Sequence, residues 1–125
     1  MKRRQARELI LKILFQKDFV THTEGLDNVR DPYARAVLIG IQAHQDEIDR
    51  RIQERAQGWR LERLHSVDRN VLRLAIYELL YRDDVPPEVI IDEAVELAKK
   101  YGTEKSPAFI NGILDRILKE ERAPL

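Results

Sequence analysis

Residues 66–82 of this chain, SVDRNVLRLAIYELLYR, give the strongest prediction of its fold. Nine of the eleven residues from Val71 to Tyr81 are aliphatic or aromatic, and the stretch contains no proline or glycine. Its leucine, arginine and glutamate content favours helix over strand. It is too short to span a membrane, which takes about 20 apolar residues. Because a helix that is apolar nearly all round has to be buried, the stretch predicts one central helix, with Ser66 as its N-cap.

Further helices are predicted on both sides of the central one, because apolar residues recur there at helical spacing. These helices cover residues 3–20, 32–57, 87–101 and 107–119, and a short connecting helix is expected at residues 61–64. The pattern leaves open whether residues 31–57 form one helix or two. No pair of alternating runs is joined by a hairpin turn, so the sequence predicts an all-α fold in one domain, residues 1–125.

Residues typical of helix ends support these boundaries. Asp31-Pro32 is a good N-cap and first helical position, and Pro87 can begin the next helix. Gly102 is the usual kind of helix stop, and Ser106-Pro107 repeats the N-cap pattern. Gly40 falls inside a helix, where it predicts a kink or a close helix crossing. Trp59 is expected to fill the seam between the two halves of the fold.

Charge is balanced overall but unevenly distributed. The chain has 22 basic and 22 acidic residues. The N-terminal basic cluster comprises Lys2, Arg3, Arg4 and Arg7. The acidic segment comprises Asp83, Asp84, Glu88, Asp92, Glu93 and Glu96. This distribution predicts one positive and one negative pole. The row Glu88, Asp92 and Glu96 is either a solvated helix face or a docking surface for a basic partner.

One aromatic residue lies close to the basic cluster. Arg7, Leu11 and Phe15 are spaced by four and therefore form one row along the first helix. Phe15 either packs into the core, as most aromatic residues do, or stacks on an unpaired nucleic-acid base.

No constellation typical of an enzyme is present in the sequence. Cysteine is absent, which excludes a disulfide framework and a thiolate metal site and fits a reducing cytoplasm. His22, His44 and His65 are far apart and match no zinc motif. Ser66 and Ser106 are better explained as caps than as nucleophiles. We therefore expect a cytoplasmic protein that has no catalytic site, cofactor, bound metal, membrane span or secretory signal.

Two segments resemble the family of the transcription antitermination factor NusB. The first is RRQARELILKILFQ, residues 3–16, which is similar to that family's basic first helix. The second covers residues 68–117 and contains LRxAxYEL, a DVP turn, xEAxELAKxxG and FxNGxLDxI in the family's order. Together the motifs form a strong signal that extends over nearly the whole chain.

The resemblance implies a fold and a set of partners. It implies two packed three-helix sub-bundles, about residues 1–57 and 58–125, with six to seven helices sharing one core. It also implies that the chain pairs with NusE, a small-subunit ribosomal protein, and binds boxA RNA. The pair would then join the antitermination complex of RNA polymerase, notably on ribosomal RNA operons. No enzymatic activity and no cofactor are implied.

Site residues follow from the same resemblance, position by position. The RNA-binding set is Lys2, Arg3, Arg4, Arg7, Phe15, Arg69, Arg73, Tyr101 and Lys105. The NusE-binding set is Asp68, Tyr77, Asp83, Asp84 and Glu88. Phe15 replaces a frequent tyrosine, which keeps a stacking ring but removes a hydroxyl. Asn111 and Gly112 belong to the family signature and are interpreted as structural, for capping and for close helix approach. The alternative from the residues themselves is a protein-only interaction module or a homodimer.

Overall fold

The computed structural model describes residues 1–19, 28–56, 58 and 60–122, and within them every regular element is helical. The α-helices are α1 (Arg3–Phe19), α2 (Pro32–Arg55), α3 (Ser66–Tyr81), α4 (Pro87–Tyr101) and α5 (Ser106–Arg122), with a short 3-10 helix at Leu61–Arg63. The predicted all-α class is confirmed, and the described residues form five α-helices and one short 3-10 helix where six to seven helices were expected. Trp59, which was expected to fill the seam between the two halves, lies outside the described residues, as do most of the residues between α1 and α2.

Helix α3 is the centre of the molecule, as its composition predicts. It packs against α1, α2, α4 and α5. Val71, Leu72, Leu74 and Ile76 are almost completely buried in one continuous core to which all five α-helices contribute. Each fully buried aliphatic side chain of this kind stabilises the fold by roughly 1.5–3 kcal/mol. The predicted division into sub-bundles near residue 57 stays a prediction.

The helix starts predicted at Asp31-Pro32 and at Pro87 are confirmed, whereas the N-caps predicted at Ser66 and Ser106 are wrong, because each serine is the first helical residue of its own helix. Asp31 accepts a hydrogen bond from the backbone N–H of Ala34 at 2.9 Å, and Pro87 begins α4. Ser66 does not cap α3: it is the first helical residue, and its hydroxyl donates to Asp18 at the end of α1. The hydroxyl is drawn away because a carboxylate accepts a stronger hydrogen bond than a neutral group does.

Helix α2 is bent at one residue and approaches α3 closely at another. His44 has non-helical backbone angles (φ −116°, ψ 16°), so α2 consists of two helical halves. At Gly40, an added Cβ would overlap the hydroxyl end of the Tyr77 ring. The glycine therefore serves the close crossing of α2 and α3, and the bend lies four residues further on.

Two other glycines lie in contrasting surroundings. Gly102 ends α4 in an extended conformation, and a Cβ there would fall 2.5 Å from the Ser106 hydroxyl. That buried hydroxyl accepts from the backbone N–H of Thr103 at 2.9 Å, which closes the α4–α5 turn. Gly112 is exposed within α5, and a Cβ there would meet no atom within 4 Å. The interpretation of Gly112 as a close-approach glycine inside the fold is therefore wrong.

None of the described helices is long and apolar enough to cross a membrane.

Candidate nucleic-acid interface

The first turn of α1 presents part of the basic cluster to solvent. Lys2, Arg3 and Arg4 are exposed, and 64% of the Arg4 side chain is accessible. The Arg3 guanidinium lies 3.6 Å from the centre of the Tyr33 ring, a cation–π contact that orients it. These three cations form the exposed part of the N-terminal basic cluster.

Arg7 is not part of that exposed surface, contrary to the sequence analysis. Its side chain is 4% exposed, and it donates to Glu78 through Nε at 3.0 Å and Nη2 at 2.9 Å. Burial alone would lower the pKa of Arg7, but the hydrogen bonds and charge of Glu78 outweigh burial and raise it. Tyr33 also donates to Glu78, so the carboxylate holds α1, α2 and α3 together. Because its guanidinium is already occupied inside the fold, we leave Arg7 out of the RNA surface.

The predicted positive and negative poles lie side by side instead of apart. Arg4 donates to Glu93 of α4 through Nε at 3.0 Å and Nη2 at 2.8 Å. Arg3 lies 3.7 Å from Asp84. The hydrogen bond and charge of Arg4 hold the pKa of the Glu93 carboxyl below its ordinary value. The two charged segments therefore meet because α1 and α4 both pack on α3, which sequence spacing alone does not reveal.

Phe15 and Tyr101 line one apolar groove beside α1. The groove has a volume of about 530 Å³ and also contains Leu11, Lys12 and Val67. Phe15 is 39% exposed and Tyr101 is 42% exposed, which makes them two of the few large apolar side chains at the surface. The prediction that Phe15 packs into the core is therefore wrong, because much of its ring is exposed. Two accessible rings in one groove can stack on unpaired bases.

Lys12 is a further candidate that the sequence analysis missed. It is exposed and lines the groove, one helical turn before Phe15. The spacing Lys12 to Phe15 is i to i+3, which places both on one face of a helix. The spacing could have indicated Lys12 as a candidate, but Lys12 lies outside the dense basic cluster at the N-terminus.

The hydroxyl of Tyr101 is held at the edge of the groove. It donates to Glu8 at 2.7 Å, and the Lys100 ammonium lies 3.1 Å from the same carboxylate. The hydrogen bonds from Tyr101 and Lys100 lower the pKa of Glu8. Lys105 is exposed in the turn that follows Tyr101. Tyr101 is therefore fixed in orientation while its ring stays accessible.

Arg69 and Arg73 lie in a second ion-pair network, and Arg73 is not at the surface. Arg73 is buried and donates to Asp49 through Nε at 2.8 Å and Nη2 at 3.1 Å. Arg69 donates to Asp18 at 2.8 Å. Asp18 also accepts from Asn70 at 2.7 Å. The structure contradicts the expectation that Arg73 faces RNA, because its guanidinium already joins α3 to α2. Arg69 is little exposed as well, since only 14% of its side chain is accessible.

The predicted NusE contacts are divided between core and surface. Asp83, Asp84 and Glu88 are exposed, as a docking surface requires. Tyr77 is buried beside Gly40, and its ring stacks on Tyr81 with centroids 5.3 Å apart. The structure therefore contradicts the expectation that Tyr77 faces a partner.

Asp68 differs from the other acids predicted to contact NusE. It is buried in the first turn of α3, and its Oδ1 has no hydrogen-bond partner in the described part of the chain. Asn111 is exposed, so the interpretation of this residue as an internal cap finds no support. Among the described residues, no group of three acidic or histidine side chains is placed to hold a metal ion.

Comparisons with known proteins agree on one family. The NusB family model matches residues 4–119. The transcription antitermination protein NusB of Myxococcus xanthus (strain DK1622) is 47% identical, over 92% of this chain and 93% of that protein. A solved structure of T. maritima NusB superposes with a TM-score of 0.88 at 45% identity, covering 99% of this chain and 94% of that one.

A further solved structure contains partners. The antitermination factors NusB and NusE in complex with double-stranded RNA include a chain that is 29% identical to this one. The TM-score is 0.81, and 94% of this chain and 96% of that chain are covered. The sequence match, the helical topology and these superpositions lead to one conclusion: the chain belongs to the NusB family.

Proposed function

We propose that this chain is an RNA-binding transcription antitermination factor that acts as an adaptor and not as an enzyme. It binds boxA RNA together with a NusE-type ribosomal protein and joins the antitermination complex of RNA polymerase in the bacterial cytoplasm. The observation that carries the RNA part is the groove in which Phe15, Tyr101 and Lys12 come together. Membership of the NusB family supports the rest.

The proposed RNA surface combines two kinds of contact. Lys2, Arg3, Arg4 and Lys12 supply positive charge for phosphates, which gives affinity without sequence preference. Phe15 and Tyr101 supply stacking faces, each of which contributes about 1–3 kcal/mol per base in proteins of this kind. Stacking needs unpaired bases, so this surface favours a single-stranded segment over a duplex.

The NusE-type partner is assigned to a surface next to the basic cluster, where Asp84 lies 3.7 Å from Arg3. A structure of related NusB with NusE and RNA supports such a pairing. We assign the partner to the exposed acids Asp83, Asp84 and Glu88, since a ribosomal protein is basic and charge complementarity guides association.

Replacing the two rings tests the RNA part of the proposal. We expect Phe15→Ala and Tyr101→Ala each to weaken boxA RNA binding by about fivefold or more, because each removes a stacking face. Ile39→Ala is the control, since Ile39 is 47% exposed on α2 and lines neither the groove nor the pocket at Arg4. Equal affinity of all three variants and the unmodified chain would reject the groove as the RNA site.

A second candidate is a protein-only interaction module or a homodimer. The observation in its favour is that Arg3 and Arg4 are paired with carboxylates, which reduces their availability to RNA. Sedimentation of the chain alone and binding of boxA RNA by a variant with Arg3 and Arg4 replaced by alanine separate the two candidates. Unchanged RNA binding by that variant, together with dimerisation, would favour the second candidate.

A further inference from the structure

Ion pairs bridge the groove between α1 and α4. This groove has a volume of about 340 Å³, and Arg4 and Glu8 of α1 face Glu93 and Lys100 of α4 across it. Arg4 contacts Glu93 at 2.8 Å, and Lys100 contacts Glu8 at 3.1 Å. The cations on this face are thus neutralised by carboxylates of the same chain.

The pair between Arg4 and Glu93 has the geometry of a phosphate contact. Two nitrogens of the guanidinium donate to the two carboxylate oxygens, a bidentate arrangement that Arg also forms with phosphate. The Arg4 side chain is 64% exposed, whereas that of Glu93 is 18% exposed. A phosphate can therefore approach Arg4 from solvent, but to form a bidentate contact at the Nε–Nη2 edge of the fork it has to displace Glu93.

We propose that Glu93 sets the RNA affinity of this chain by competing with RNA phosphates for Arg4. Asp84 competes for Arg3 in the same way but more weakly, because it lies at 3.7 Å and is already bound by Arg82 at 3.0 Å. This inference rests on the proposed function, since it concerns the same RNA surface. It adds an acidic residue that is absent from the predicted RNA-binding set.

The competition lowers the affinity for every RNA and raises the share of the binding energy that comes from base stacking. Any RNA offers phosphates, so an open arginine strengthens specific and non-specific binding alike. An arginine that already holds a carboxylate contributes less to arbitrary RNA. Stacking of bases in the groove of Phe15 and Tyr101 must then supply more of the binding energy. Glu93 thus lowers total affinity while leaving the contribution of the bases intact.

The size of the effect follows from what an exposed ion pair contributes. Forming or losing one exposed ion pair changes an equilibrium constant, here that of RNA binding, by about two- to fivefold. We expect Glu93→Gln to tighten the binding of both boxA RNA and a scrambled RNA of equal length by about two- to fivefold. The two RNAs tighten together because the released group contacts phosphate and not bases.

Glu96→Gln is the matched control. It removes the same single negative charge from α4, but Glu96 pairs with Lys99 of its own helix at 3.4 Å and makes no hydrogen bond to Arg4. A gain specific to Glu93→Gln therefore reports the pair with Arg4 and not the net charge. The same change is repeated in an Arg4→Gln background, where the gain has to vanish because the competing cation is gone.

Fluorescence anisotropy with labelled boxA and scrambled RNA measures the RNA affinity of four variants: Glu93→Gln, Glu96→Gln, Arg4→Gln and the double variant with Arg4→Gln and Glu93→Gln. Thermal unfolding confirms that each one folds. Tighter binding by Glu93→Gln alone, absent in the Arg4→Gln background, supports the inference. Unchanged affinity of Glu93→Gln, or an equal gain from Glu96→Gln, overturns it while the unmodified chain still binds boxA RNA. Failure of the unmodified chain to bind boxA RNA, with or without a NusE-type partner, overturns the proposed function as well.

Discussion

Replacing Arg7 with methionine tests whether this arginine stabilises the fold or binds RNA. The substitution keeps an unbranched apolar stem but removes the guanidinium. It leaves the Glu78 carboxylate buried at 1% exposure, with Tyr33 as its remaining hydrogen-bond donor among the described side chains. Removing one partner of a buried ion pair costs about 3–5 kcal/mol. Because the Tyr33 hydroxyl still donates to Glu78, we expect a loss of about 3 kcal/mol. For a chain of this length, that loss lowers the melting temperature by about 10 °C.

A second substitution isolates the cause of that loss. Glu78→Gln in the Arg7→Met background removes the unpaired charge but keeps an oxygen that can accept from Tyr33. The double variant should therefore recover more than half of the lost stability. Circular dichroism during thermal unfolding measures the melting temperatures of both variants. Arg4→Met is the exposed control, and it should weaken RNA binding while the melting temperature stays unchanged.

The reasoning on Arg7 fails under one pattern of results. If Arg7→Met unfolds within about 2 °C of the unmodified chain and loses RNA affinity as strongly as Arg4→Met, then Arg7 reaches RNA. The pair with Glu78 would in that case contribute little to folding.

Three further predictions concern stability. Burial and the hydrogen bond to Glu78 raise the pKa of Tyr33, so the stability that Tyr33 contributes is complete below about pH 10 and is lost as pH rises further. In Tyr33→Phe, the melting temperature should therefore fall less steeply with pH above about pH 10. Burial alone would raise the pKa of Asp18, but hydrogen bonds from α3 lower it, so the stability that Asp18 contributes is lost below about pH 4. Asp18→Asn should therefore melt at a lower temperature than the unmodified chain at pH 7, and the difference between the two melting temperatures should be smaller at pH 3. Gly112→Ala should stabilise by about 0.5–1 kcal/mol in urea unfolding, whereas Gly40→Ala should destabilise, because only Gly40 meets a neighbouring ring.

Each of these predictions has a result that contradicts it. An unchanged alkaline limb in Tyr33→Phe would mean that this hydroxyl does not stabilise the fold. Equal pH profiles for Asp18→Asn and the unmodified chain would remove Asp18 as the group that ties α1 to α3. A destabilised Gly112→Ala would reveal a constraint on α5 that its open surroundings do not show.

The sequence predicts the helices well because their causes are local. The apolar run from Val71 to Tyr81 requires a buried helix, and α3 is buried as expected. Asp31-Pro32 and Pro87 act at the helix starts where their chemistry places them. Ser66 is the instructive failure, because a distant carboxylate on α1 competes for its hydroxyl.

The candidate site is less predictable because its charges are settled by tertiary packing. Arg7 and Glu78 are 71 residues apart in sequence and yet form a buried pair. Arg4 and Glu93 are 89 residues apart and meet only because α1 and α4 share α3 as a support. Sequence patterns show where charge is concentrated, but they do not show which charges neutralise each other.

The most direct test of the central claim is a salt titration of boxA RNA binding, with and without the NusE-type protein of the same organism. Four exposed cations contacting phosphates, Lys2, Arg3, Arg4 and Lys12, predict that log K falls with log salt at a slope of about −3. The account predicts that slope together with tighter and more sequence-selective binding when the partner is present. Equal affinity with and without the partner, and no preference for boxA over scrambled RNA, would contradict it.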